Sequence, residues 1–296
     1  MGHNEPVVVG DCGLTAAQRK LLAPHCKLFE LNSQLVRNPT QYKPFPFLLR
    51  PRGTIVLIDS DMIVTRSLGP ALALAAQGKI CVFPDPDHDT WWAEWQEVFG
   101  LPCAPRKQTY VTAGFLAFSA SFWPELLERW WNACERIRAR PTYQEGVAML
   151  SPTGQGDQDA LNALLMSVIP ADALSHLPVD EQVLPDQFCD VRLIDARALT
   201  CRYKGQQPLI LHATHQPKPW QSQGVYLRRQ LSGDVYLRFL RRLLSTPAQN
   251  LAEAGCGTRT GVLWSCIREF FRPPTSFVSL IRSKLRTIYR TEPACG

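Results

Sequence analysis

From the N-terminus, short apolar blocks alternate with stretches of helical period. Val7–Val9 is a β-branched run that predicts a strand, and the loop Gly10-Asp11-Cys12-Gly13-Leu14 follows it. Thr15 stands where it can cap a helix from Ala16 to Leu22, and Lys27 to Leu31 alternates as a second strand. Residues 41–49 are apolar around Pro44 and Pro46 and predict no single element. Thr54-Ile55-Val56-Leu57-Ile58 is an unbroken run between turn residues, which predicts a strand buried on both faces of a mainly parallel sheet. Lys79 to Phe83 predicts the next strand, and Trp91, Trp92 and Trp95 open a helix. Tyr110 to Phe118 predicts a strand with Gly114 at its middle. Pro124 to Arg138 predicts an amphipathic helix, Asp157 to Ser167 another, and Leu209 to Leu211 a last strand that ends at His212. Strands and helices in alternation predict an α/β sandwich with a mixed, mainly parallel sheet.

After Trp220 the pattern changes to helical segments rich in Leu, Arg and aromatic residues, so the expected organisation is a domain over 1–224 and a basic helical extension over 225–296. Charge divides at the same place. The whole chain of 296 residues carries +6, residues 225–296 carry +8 and the remainder −2. Apolar residues make up 45% and charged residues 20%, enough for a sizeable core. No basic-then-apolar leader and no spanning apolar stretch is present in the sequence. Ten cysteines without a Cys-x-x-Cys pair predict reduced, mostly buried thiols of a cytoplasmic protein, and no Cys/His cluster has zinc-ligand spacing.

The candidate chemistry lies at strand ends, where open α/β sheets bind ligands. Asp59 and Asp61 follow the Thr54–Ile58 run, and two carboxylates flanking the small Ser60 can share one hard cation such as Mg²⁺ or Mn²⁺. The plain alternative is an acidic turn. Gly114 inside a strand marks either close approach of a ligand or tight packing. Gly156-Asp157-Gln158-Asp159 opens an apolar helix with more hydrogen-bonding side chains than a cap needs. His212 ends the last strand, and Lys218-Pro219-Trp220 follows six residues on. A neutral imidazole can ligate a metal, and a lysine can meet a phosphate as a point charge.

In this order, Asp59-x-Asp61, the Thr112-Ala113-Gly114 strand, Gly156-Asp157-Gln158-Asp159 with Leu161-Asn162 behind it, and His212-x5-Lys218-Pro219-Trp220 resemble the family 8 retaining glycosyltransferases of the glycogenin and bacterial lipooligosaccharide galactosyltransferase type. The resemblance runs over about residues 7–224. It implies a three-layer GT-A fold, a nucleotide-sugar donor (a UDP-sugar) and Mn²⁺ or Mg²⁺. By position it makes Asp59, Asp61 and His212 the metal ligands and places Lys218 at the diphosphate. It puts Thr112 and Gly114 beside the donor sugar, Asp157 at the sugar hydroxyls, Gln158 beneath the anomeric carbon, and Lys43 among the donor-binding residues. Two departures accompany it. The family usually has glycine three residues after the metal-binding His, where this chain has His215. The resemblance also starts at the family's second strand, so the first strand and helix, which hold uracil and ribose, are expected to be lacking.

The implied acceptor is a glycan or glycolipid, as in lipopolysaccharide biosynthesis. Nucleic acid is excluded as a partner because no recognised nucleic-acid fold accompanies the charge. Residues 225–245 are expected to pack on the core through their apolar stripe. Residues 274–290, basic and amphipathic, are expected to contact an anionic membrane from the cytoplasmic side. A nucleotidyltransferase is the enzyme alternative, which the Gly156–Asp159 and Lys218–Trp220 segments argue against. The alternative from another class is a catalytically inactive GT-A-like protein that binds a glycan or a partner.

Overall fold

The computed structural model describes residues 5–31, 39–139, 151–214, 235–240 and 242–243. Lys218 and the 274–290 segment lie outside the described residues. The fold is α/β, with helices on both faces of a mixed sheet. In chain order the first elements are β1 (Val8–Asp11), α1 (Ala16–Leu22), β2 (Lys27–Glu30), β3 (Thr54–Ile58), β4 (Met62–Val64), α2 (Gly69–Ala76) and β5 (Ile80–Pro84). Then come α3 (Trp95–Phe99), β6 (Val111–Ser119), α4 (Leu126–Arg138), α5 (Asp157–Ser167), β7 (Leu174–His176), β8 (Gln182–Val183), β9 (Arg192–Asp195), β10 (Thr200–Arg202) and β11 (Ile210–His212). Residues 41–49 form two 3₁₀ turns, Pro39–Tyr42 and Phe45–Leu49.

Four strands make the main sheet in the order β3-β6-β5-β7, and three short ones make a second sheet, β4-β11-β8. β1 pairs with β2, and β9 with β10. Parallel pairing is less common than the apolar runs predict. Three of the seven strand pairs among the described residues are parallel: β1 with β2, β5 with β7 and β8 with β11. β3 lies antiparallel to β6 at the margin of the main sheet, and its residues are half-buried or exposed. Its unbroken apolar run therefore reflects β-propensity more than burial on two faces.

β5 and β6 are buried on both faces, and all nine residues of β6 are buried. Val111, Ala113, Leu116 and Phe118 join a core with Trp95, Trp130 and Leu161 from α3, α4 and α5. Phe115 and Ala117 face the other way, onto Ala71 and Ala75 of α2. Inward positions are odd before Gly114 and even after it, and the register of β6 against β5 breaks between Val82 and Pro84. Such a bulge redirects a strand locally and is favoured beside functional sites. Trp95 is wholly buried inside α3, whereas Trp91 and Trp92 pack on the core from the preceding turn.

Helix ends obey their local chemistry. Thr15 and Gln18 form the capping box of α1. Gly156 precedes α5 at φ 58°, a backbone state that favours glycine. Arg106 donates to the carbonyls of Leu165, Ser167 and Ile169 at the far end of α5, where a cation complements the helix dipole. Asp11 is used within its own loop. Burial opposes its charge, but the Leu14 and Gly13 amides and the Arg19 guanidinium hold its carboxyl below the usual range.

Residues 235–240 are helical, and Val235, Tyr236 and Phe239 bury against Phe188, Leu211 and Ala213. This part of 225–245 thus packs on the core, through aromatic side chains more than leucines. Of the seven described cysteines, all free, Cys81, Cys134 and Cys201 are buried, whereas Cys103 and Cys189 are exposed. Mostly buried thiols were expected; Cys12 and Cys26 are half-buried, and the two exposed ones lie in the loop after α3 and in the 3₁₀ turn Pro185–Asp190. Among the described residues no helix is long and apolar enough to cross a membrane.

Candidate metal centre and donor site

The turn Asp59-Ser60-Asp61 carries the chain from β3 in the main sheet to β4 in the second, and it is closed by the Met62 amide donating to the Asp59 carbonyl at 3.1 Å. β11 runs antiparallel to β4 with His212 opposite Met62, so register alone brings the imidazole to the turn. The Asp61 carbonyl accepts from the Ala213 amide at 3.0 Å and the Tyr236 hydroxyl at 2.8 Å, which fixes the turn from behind. One ligand atom from each of Asp59, Asp61 and His212 lies within 4.8 Å of the others. His212 Nε2 is 3.3 Å from Asp61 Oδ1 and 3.8 Å from Asp59 Oδ2.

Gly114 forms the floor of this cluster. A Cβ there would stand 2.5 Å from Met62 Cε, 2.7 Å from His212 Cε1 and 3.0 Å from Asp59 Oδ2. Its carbonyl also accepts the Asp59 amide at 2.9 Å. The glycine thus lets two candidate ligands approach the backbone of β6. Two carboxylates and an imidazole, the aspartates partly open to solvent, form a donor set that fits a hard or borderline divalent cation.

Lys43, just after the first 3₁₀ turn, reaches the same place. Its Nζ lies 3.0 Å from Asp59 Oδ1 and 3.0 Å from Asp157 Oδ2, with the Ala113 carbonyl at 3.4 Å. Burial pulls the ammonium toward neutrality, but the Asp157 and Asp59 carboxylates overcome this and raise Lys43 above the usual lysine range. Burial raises Asp157, and Lys43 acts against that rise. Lys43 therefore links the aspartate turn to the start of α5.

The start of α5 is fastened to β6 by side chains. Gln158 Oε1 accepts the Ala113 amide at 3.0 Å, and Gln158 Nε2 donates to Asp85 Oδ2 at 3.0 Å. Asn162 accepts the Val111 amide and donates to the Val111 and Gln158 carbonyls. Asp159, almost fully buried, accepts the Tyr110 hydroxyl and the Gln155 amide, and burial pushes its carboxyl up to about 7. Thr112 is buried, and its Oγ1 accepts the Gly114 amide at 3.2 Å.

The structure therefore brings together Asp59, Asp61, His212, Gly114, Lys43, Asp157 and Gln158, with Thr112 beside Gly114. It also contains two residues that motif reading missed. Asp85 follows β5 and is raised by burial, against which the Asp87 amide and Gln158 act. Its strand-end position, the same as that of Asp59, is the signal that marks it; Asp85-Pro86-Asp87-His88-Asp89 otherwise looks like a solvated acidic loop. Gln182 Nε2 lies 2.9 Å from His212 Nδ1, and no sequence pattern announces it.

Fold and site together define an α/β protein with a carboxylate–carboxylate–imidazole cluster where its two sheets meet. Among solved structures, one similar to this chain is an active-site mutant of LgtC, at 15% identity and TM-score 0.47 over 79% of this chain and 85% of that one. Another is the glycosyltransferase GlyE of Streptococcus pneumoniae TIGR4, at 20% identity and TM-score 0.38 over 72% of this chain and 47% of that one. No family model matches the sequence, and no curated protein matches it.

Proposed function

We propose that this chain is a metal-dependent retaining glycosyltransferase of GT-A type, which moves a sugar from a nucleotide-sugar, a UDP-sugar by the motif resemblance, to a glycan or lipid-linked acceptor. The observation that carries this reading is the convergence of Asp59, Asp61 and His212 over a glycine floor that any side chain would fill. Asp59, Asp61 and His212 would hold Mn²⁺ or Mg²⁺. Bound there, such an ion supplies Lewis-acid stabilisation of a departing diphosphate.

The remaining residues have distinct parts in this reading. Lys43 carries a fixed positive charge next to the donor diphosphate, and Lys218 is proposed to carry another. Asp157 and Thr112 border the donor sugar. Gln158 is held in place by the Ala113 amide and Asp85, and a neutral amide is not an activated nucleophile. The reading therefore takes acceptor attack on the face the leaving group vacates, with Gln158 beside the oxocarbenium-like centre. Preorganised charge at the leaving group is the main catalytic effect.

The second reading, a binding protein without turnover, is favoured by one contact. Lys43 already stands within 3.1 Å of both Asp59 oxygens, so the cluster has a resident cation. UDP-sugar hydrolysis with and without Mn²⁺, on wild type and Asp61→Asn, separates the two. Metal-dependent UDP release by the wild type, reduced at least about 100-fold in the variant, supports the enzyme. Equal background release from both across a donor panel would leave the binding role.

A further inference from the structure

β8 lies parallel to β11 with Gln182 opposite Ile210, and the Gln182 side chain is buried against the metal-facing histidine. Gln182 Nε2 sits 2.9 Å from His212 Nδ1, while Gln182 Oε1 is buried with no hydrogen-bond partner among the described residues. One end of the amide is used and the other is not, although an unpaired buried carbonyl is costly.

With Gln182 Nε2 donating, His212 Nδ1 is the acceptor, and the proton of the neutral ring sits on Nε2. Nε2 faces the Asp61 and Asp59 carboxylates, 3.3 and 3.8 Å away. Metal ligation through Nε2 requires the opposite tautomer, with Nδ1–H given to an acceptor behind the ring. Gln182 has that acceptor in the same side chain: turned end over end, its amide places Oε1 where Nε2 was.

We propose that Gln182 is a positioning residue for the metal centre, whose amide selects the His212 tautomer and turns over when a divalent cation enters. The ring loses one proton from Nε2 and gains one at Nδ1 by exchange with water, so its charge does not change. The inference rests on the metal-site reading above.

The test uses Mn²⁺ alone on the full chain, with affinity read by electron paramagnetic resonance for wild type, Gln182→Leu and Gln182→Glu. Gln182→Leu keeps the volume and removes both donor and acceptor, and it should bind Mn²⁺ about 10–100-fold more weakly. Gln182→Glu keeps a fixed acceptor and should stay within about threefold of wild type. In histidine-¹⁵N-labelled wild type, the His212 ring proton should sit on Nε2 without metal and on Nδ1 with saturating Mg²⁺. Affinity of Gln182→Leu within about twofold of wild type would overturn the proposal. So would equal losses in both variants, or a ring proton on the same nitrogen in both spectra. Should Gln182→Leu not fold, the wild-type spectra decide alone. No Mn²⁺ binding by wild type would overturn the metal reading along with this one.

Discussion

The two sheets on either side of the aspartate turn are built differently. The main sheet centres on a nine-residue strand with every residue buried and packs helices on both faces. The second sheet has strands of only three, three and two residues, and its buried positions include Gln182 and His212. The main sheet gives the site a position without a side chain, Gly114. The second sheet and the turn into it provide Asp61 and His212. Packing density thus builds the floor, and hydrogen bonds and register hold the ligands above it. Short strands are stable here because Tyr236 and Phe239 cover them.

Mutations should separate the two regions. Trp130→Ala, in the wholly buried core of the main sheet and beneath the Asp157 carbonyl, should cost about 3–5 kcal/mol in urea unfolding. A loss under about 1 kcal/mol would show that the main sheet is not the dominant core. Lys43→Met, at the seam, should cost about 3 kcal/mol without metal, because Asp157 is left as an uncompensated buried carboxylate. Metal at saturating concentration should recover part of that loss, since Asp59 gains a cation again.

Gly114→Ala should cost about 1–3 kcal/mol of stability through overpacking. Its Mn²⁺ affinity should fall by a larger factor than its stability, because the new methyl meets His212 and Asp59; parallel losses would show that the glycine serves packing alone. Asp159 tests pH. Its carboxyl is raised to about 7 in the folded protein against an ordinary value of 3.8, so between those values the folded chain keeps a proton the unfolded chain releases. Stability must then fall as pH rises through that window, by roughly 1 kcal/mol per unit at the steepest. Asp159→Asn should flatten that part of the curve, and unfolding midpoints of wild type and variant at pH 5 and 8 would show it. The smallest effect is expected from Tyr236→Phe. It removes one hydroxyl from the Asp61 carbonyl, for about 1 kcal/mol, with a modest loss of metal affinity.

How far the sequence foretold this depends on element length. α5 spans the predicted Asp157–Ser167, because its polar start and apolar body are both local signals. β6 was visible from its length and composition. β7 to β10, of two to four residues each, were not visible: such strands are defined by their neighbours and not by their own pattern. β3 was foreseen as a strand but not in its antiparallel, marginal place, since β-branched runs look the same at an edge and in a centre. The residues of the metal cluster stood out because a strand end supplied the context for each. Gln182 did not, since a lone Gln after Asp180-Glu181 reads as surface, and only the pairing of β8 with β11 turns it toward His212.

The hydroxyl of Tyr236 on the carbonyl of Asp61 has a consequence for synthesis. The contact joins residues 175 positions apart, and His212 comes long after Asp59. A ribosome adding about 5–20 residues per second finishes β3 and the aspartate turn roughly ten seconds or more before it has made the chain that braces them. Lys43, which meets Asp59 in the folded protein, is made earlier still. Of the groups that meet at the turn, Lys43 is thus made first and the brace from Tyr236 last.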